Sequence, residues 1–337
     1  MKASNYKYNK TIRIWLLIGL LMLIGQVILG GITRLTGSGL SITSWDIVTG
    51  VVPPLNDEEW LQAFEAYKET PQFHKINSTF NVKDFKFIYF WEYFHRLWVR
   101  ALGFIFLIPF LIFIAKKQID LYLAKRLGLV VLLTILTASA GWIMVQSGLI
   151  NRPWVNAYKL TIHFMLALFV IWAMIKTVAD VYNYGTSKKI TSNTIIPITI
   201  TITLVQMIFA GLMAGMFSGL YYPSWPDMNG ELIPAVLLNG THWNWGNMVN
   251  YDSYLFAPAF VQFTHRILAY ILLGITIYMF FELKNKVALF SKKWLNITML
   301  LLLIQVVLGI LTVLNVAGKI PLFYGVSHQL VGLLYFM

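Results

Sequence analysis

Four histidines form two matched pairs. His95 lies in Glu-Tyr-Phe-His-Arg and His265 in Gln-Phe-Thr-His-Arg, followed 68 and 63 residues later by His163 and His328. All four fall one to two turns inside the same end of an apolar segment. Ionisable groups in hydrocarbon are costly and tend to carry function. Two imidazoles at one depth on neighbouring helices suit the two axial positions of a porphyrin iron. Zinc or copper would need third and fourth ligands converging nearby, and the sequence offers none. The chain has no cysteine, which excludes thiolate ligands, disulfides and thioether-linked heme.

Arg96 and Arg266 each follow a histidine. A guanidinium there is a partner for heme propionates, an anchor for the adjoining loop, or a snorkelling side chain. Glu92 stands three residues before His95 on the same helix face, and its counterpart before His265 is Gln262. One copy thus has an acid beside its ligand and the other does not. Two readings stay open: a salt bridge to Arg96 or Arg100, or chemistry confined to the first half. His74 and His242 lie in loops without repeat partners and read as surface residues.

These residues need a membrane scaffold. Of the 337 residues, 58% are hydrophobic and 12% charged, against roughly 25% charged in soluble domains. Eight segments are long and apolar enough to cross a bilayer of about 30 Å. They run near Ile12–Ile32, Phe87–Ala115, Leu127–Ser147, Ala157–Val178, Ile195–Phe217, Pro258–Leu283, Trp294–Val316 and Pro321–Met337. The last is short and lacks a basic flank, which reads as a chain cut short.

The net charge of +12 is not a nucleic-acid footprint, because its distribution is one-sided. Lys2, Lys7, Lys10 and Arg13 precede the first span; Lys116, Lys117, Lys125 and Arg126, then Lys176, Lys188 and Lys189, then Lys284, Lys286, Lys292 and Lys293 fill alternate loops. The stretch 218–257 has no Lys or Arg. This places the N-terminus in the cytoplasm and the histidines toward the outer face. The other long loop, 33–86, breaks the pattern mildly. The first span is too long for a signal peptide and no small-residue cleavage site follows, so it is expected to be retained. Residues 56–70 place Trp60, Leu61, Phe64 and Tyr67 at helical spacing, an amphipathic interfacial helix. Trp243-Asn244-Trp245 reads as an interfacial anchor.

The spans are a duplication. An offset of 180 aligns Gln26, Gly31, Ser38-Gly39-Leu40, Ser44-Trp45, Gly50 and Pro54 with Gln206, Gly211, Ser218-Gly219-Leu220, Ser224-Trp225, Gly230 and Pro234. Offsets of 170, 168 and 165 align His95 with His265, Gly141 with Gly309 and His163 with His328. The expected fold is an all-α polytopic membrane protein of eight transmembrane helices, in two tandem pseudo-symmetric four-helix bundles, residues 1–190 and 191–337.

The run Gly30-Gly31-Ile32-Thr33-Arg34-Leu35-Thr36-Gly37-Ser38-Gly39-Leu40-Ser41, the Glu92–Arg96 motif, His163, Thr264-His265-Arg266 and Ser327-His328-Gln329 together resemble heme A synthase over essentially the whole chain. Lacking cysteines, it is similar to the cysteine-free branch typical of mitochondria and Gram-negative bacteria. The resemblance implies an oxidoreductase that converts the C8 methyl of heme O to a formyl group, giving heme A for cytochrome oxidase. It implies heme b on His265 and His328, substrate heme on His95 and His163, and a role in turnover for Glu92. An electron donor and acceptor, and association with heme O synthase or with itself, are left unidentified. A bacterial inner membrane is expected, since no Arg- and Ser-rich presequence precedes the first span. The rival readings are a di-heme electron carrier of the cytochrome b561 type, and a repeat-built transporter. The first fails to explain Glu92 and the long loops, and the second predicts charges at mid-membrane.

Overall fold

A computed structural model describes residues 7–43, 52–150, 152–182, 194–285 and 289–337. Ser44, Trp45, Gly50, Lys2, Lys188, Lys189 and Lys286 lie outside these. Among the described residues the chain is helical, with one isolated antiparallel bridge, Met228 to Glu231. Seven helices are long and apolar enough to cross a membrane: α1 (Lys10–Leu35), α4 (Val82–Ala115), α5 (Leu121–Gln146), α6 (Ala157–Val181), α7 (Ile195–Gly215), α11 (Phe256–Leu283) and α12 (Leu289–Leu314). The shorter apolar α13 (Leu322–Phe336) takes the eighth place. This is the eight-helix polytopic architecture read from the sequence. Between the spans lie α2 (Asp57–Lys68), α3 (Pro71–Lys75), α8 (Ser218–Tyr221), α9 (Ala235–Leu238) and α10 (Trp245–Val249).

Two compact units divide the chain, Met1–Lys188 and Lys189–Met337. In unit 1, α1 packs on α4 and α6, and α5 on α6. Its dry core joins Trp15, Leu16, Phe106, Phe110, Leu127 and Met174, with Trp15 stacked on Phe106 at 4.8 Å between ring centres. Large apolar residues such as Phe104 point outward, as lipid rather than water permits. In unit 2, α7 packs on α11, α12 on α13, and α11 on α12.

The basic ends of unit 1 are tied electrostatically. Asp120 caps α5 by accepting from the Leu123 N–H, and it also takes hydrogen bonds from Lys7 and Tyr8. The Lys7 hydrogen bond is the main cause that holds the Asp120 carboxyl down at about 2. Arg126 pairs with Asp180 at 2.8 Å.

At the loop-rich end, α4 begins five residues earlier than the sequence reading placed it. Asn81 caps it and Asp84 returns the bond, a reciprocal cap that extends the helix above its apolar run. The amphipathic segment is helical, as α2. Its apolar face lies on that extension, burying Phe64 and Tyr67 against Phe85 and Ile88, while Leu61 stays exposed. Trp243 and Trp245 are both exposed; Trp243 donates its indole N–H to the Leu237 carbonyl and meets Phe256 edge-on. His74 is exposed and His242 half-buried.

Candidate histidine-pair sites

Each histidine is oriented by a neighbouring helix, and the same way in both units. His163 on α6 has Nδ1 2.9 Å from the Thr137 carbonyl of α5. His328 on α13 has Nδ1 3.0 Å from the Gln305 carbonyl of α12. A carbonyl only accepts, so Nδ1 carries the proton and Nε2 presents its lone pair. Iron- and zinc-ligating imidazoles are oriented in this way. Thr137 and Gln305 each stand four residues before a glycine. A Cβ on Gly141 would come within 2.9 Å of His163 Cε1, and one on Gly309 within 2.9 Å of His328 Cε1. Only glycine lets the ring lie this close to the helix backbone.

His95 and His265 are approached from the preceding helix of their unit. The Gln26 amide nitrogen is 3.0 Å from His95 Nε2, and that of Gln206 is 3.3 Å from His265 Nε2. The Gln305 amide nitrogen lies 3.3 Å from His328 Nε2. In unit 2 the two rings face one another, with centres 6.5 Å apart and planes at 67°. His265 Nδ1 and the Oε1 atoms of Gln26, Gln206 and Gln305 are buried with no hydrogen-bond partner among the described residues. A cluster of imidazole and amide groups in apolar surroundings fits a flat, mostly apolar iron porphyrin. No group of three or more His, Cys, Asp or Glu that could hold a bare metal ion occurs among the described residues.

The sequence had shown Gln26 and Gln206 only as repeat matches; their contacts with the histidines were missed. The offset of 180 aligns Gln26 with Gln206, and a shared amide on the span before each histidine-bearing span is the signal that could have found them.

The arginines and the Glu92/Gln262 pair hold loops. Glu92 is buried, with one oxygen 2.6 Å from Arg96. The other accepts from the Ser41 N–H at 2.7 Å, the Ser41 hydroxyl at 2.8 Å and the Ile42 N–H at 2.9 Å. Of the two readings left open by the sequence, the salt bridge is present, and its partner is Arg96. In unit 2 the Gln262 amide donates to the Tyr222 carbonyl at 2.9 Å. Arg266 donates to the carbonyls of Asp227 at 2.6 Å, Ser224 at 2.7 Å and Tyr222 at 3.3 Å. Ile42 and Tyr222 are the same position of the repeat. Even the backbone repeats: each of α1 and α7 is followed by one left-handed residue at an equivalent site, Gly37 (φ 69°) and Phe217 (φ 52°).

The unit 1 loop has a second support. The Gln72 amide donates to the Gly37 carbonyl, and Gln72 accepts from the buried Tyr67 phenol. Burial pushes that phenol up to about 12.

A polytopic helical membrane protein with two repeated, half-buried histidine-pair sites is the class defined by this fold. Residues 13–337 match the family model COX15-CtaA, described as cytochrome oxidase assembly protein, and the chain belongs to that family. Its relatives include proteins named heme A synthase. That of Flavobacterium psychrophilum is 36% identical over 330 residues, covering 96% of this chain and 94% of the relative. That of Nitrosospira multiformis is 37% identical, covering 99% and 92%. That of the Wolbachia of Brugia malayi is 37% identical, covering 98% and 95%.

Proposed function

We propose that this chain is a heme A synthase, oxidising the C8 methyl group of heme O to a formyl group. Unit 1 takes the substrate between His95 and His163. Unit 2 holds heme b between His265 and His328, as a resident cofactor. The observation that carries this reading is the paired orientation of His163 and His328. Both are tethered through Nδ1 to a backbone carbonyl, which presents Nε2 for an iron. The family relatives named heme A synthase support the same reaction.

A bound heme b supplies one-electron redox chemistry. The protein's own residues do the rest. Gln26 and Gln206 lie against the first histidine of each pair. Arg96 and Arg266 pin the loops beside the sites. Glu92 serves turnover through position and charge: it fixes Arg96 and the Ser41–Ile42 turn on the helix that carries His95. Both its oxygens are already engaged by donors, which favours charge stabilisation over uptake of a proton. The charge pattern supports an N-terminus in the cytoplasm of a bacterial cell and sites toward the periplasmic face of the inner membrane.

Expression in a host that makes heme O, followed by extraction of the hemes, tests this. Heme A is expected. Heme b bound while heme O stays unchanged, with a working electron donor present, would replace the synthase by a di-heme electron carrier.

A further inference from the structure

The two units part company on the side of the histidines away from the loops. By the offsets that align the histidines and Gln26 with Gln206, unit 1 has Gly19, Leu23, Phe106 and Val170 where unit 2 has Thr199, Thr203, Thr276 and Tyr335. In unit 1 this floor is hydrocarbon. Phe106 and Val170 are buried, Leu23 packs on the same core, and Met174 and Phe106 crowd Gly19, 3.0 and 3.1 Å from where its Cβ would be. In unit 2 it is a hydroxyl cluster. Thr276 Oγ1 and Tyr335 Oη are 2.9 Å apart, joining α11 to α13, and the Thr203 hydroxyl donates to the Thr199 carbonyl at 2.8 Å. Thr199, Thr203 and Thr276 are all buried. Tyr335 lies seven residues beyond His328, about 10 Å along α13. Helical side chains lean back toward the N-terminus, which brings its phenol toward that histidine.

A porphyrin held between these histidines has a preferred way up. Its two carboxylates avoid hydrocarbon and go to the loop-rich, water-facing end. The opposite edge then faces the floor. On that edge heme b carries a vinyl group where heme O carries a hydroxyethyl group with a long isoprenoid chain.

Resting on the function proposed above, we infer that the floors select the porphyrin: Thr203, Thr276 and Tyr335 keep the tailed heme out of unit 2, and Leu23, Phe106 and Val170 admit it to unit 1. A tail pushed between α11 and α13 must part the Thr276–Tyr335 hydrogen bond and strand two hydroxyls in hydrocarbon, which is unfavourable. A tail entering the unit 1 floor replaces hydrocarbon contacts with hydrocarbon contacts and strands nothing. Short vinyl groups reach neither obstacle.

The test uses the full chain in a host that makes both heme b and heme O. His95→Ala and His163→Ala in the background confine bound heme to unit 2. Thr203→Leu, Thr276→Phe and Tyr335→Val together give unit 2 three of the four unit 1 floor residues and remove the phenol and two of the hydroxyls. The ratio of heme O to heme b extracted from the purified, monodisperse protein is expected to rise by about tenfold or more. Tyr335→Phe alone, which keeps the ring and removes the bond, is expected to raise it less, and it decides the matter if the triple variant does not fold. Folded variants that keep the parental ratio would overturn the inference and leave the synthase reading standing. Loss of that reading has its own signature: a parent chain that binds neither heme through His265 and His328.

Discussion

Glu92 and Gln262 stand at one position in two copies of the same bundle, and both clamp the loop above a histidine. The clamps have opposite polarity. Glu92 accepts from the N–H groups of Ser41 and Ile42, whereas Gln262 donates to the carbonyl of Tyr222. In unit 2 the burden shifts to Arg266, which spans four carbonyls of the loop. In unit 1 Arg96 is bound to Glu92, so acid, arginine and loop form one network. A duplicated scaffold has thus kept the mechanical job and changed its charge. The charged version lets one side chain accept three hydrogen bonds from the loop.

That contrast can be broken at several points. His265→Ala should abolish heme b content, while His95→Ala leaves it in place; heme extraction from purified protein reads both, and full heme b in the first variant would sink the ligand assignment. Glu92→Leu should lower stability by about 3–5 kcal/mol, because it takes the carboxylate away from the half-buried Arg96 and the acceptor away from the Ile42 N–H; thermal unfolding in detergent measures this. Glu92→Gln should keep heme b and lose heme A formation, and normal conversion by that variant would remove Glu92 from turnover. Gln262→Leu should cost only about 1 kcal/mol, since one neutral hydrogen bond is lost and Arg266 still holds the loop. A larger loss than that of Glu92→Leu would reverse the comparison.

The smallest effect lies at the opposite end of unit 1. Asp120 has its carboxyl held below the ordinary value of 3.8, down to about 2, chiefly by Lys7. Its contribution to stability is therefore present above pH 3.8 and lost as pH falls toward 2. Asp120→Asn should be slightly less stable than the parent at pH 7, with the gap closing between those values. A gap that persists at pH 2 would mean that charge is not the cause.

Most of the architecture was legible because hydrocarbon imposes it. Apolar length sets the spans, and offsets that drift only from 180 to 165 along the chain expose the repeat. The start of α4 was missed because Asn81 and Asp84 extend the helix by a local polar cap, which hydropathy does not register. The salt bridge of Glu92 with Arg96 was readable from helical spacing. Its other partners were not, because backbone N–H groups of Ser41 and Ile42, about fifty positions away, carry no residue identity. The contact of Gln305 with His328 escaped for a related reason: its repeat counterpart is Thr137, so similarity did not mark it.

The tethers on His163 and His328 join helices that are consecutive in the chain, α5 to α6 and α12 to α13. The glutamine contacts on His95 and His265 likewise stay within the preceding pairs, α1 with α4 and α7 with α11. Each ring is therefore aimed from within its own pair of spans, and the pair carrying His95 or His265 emerges before the pair carrying His163 or His328. A ligand pair is born as two finished halves, and docking of one hairpin on the next is the event that creates somewhere for iron to bind.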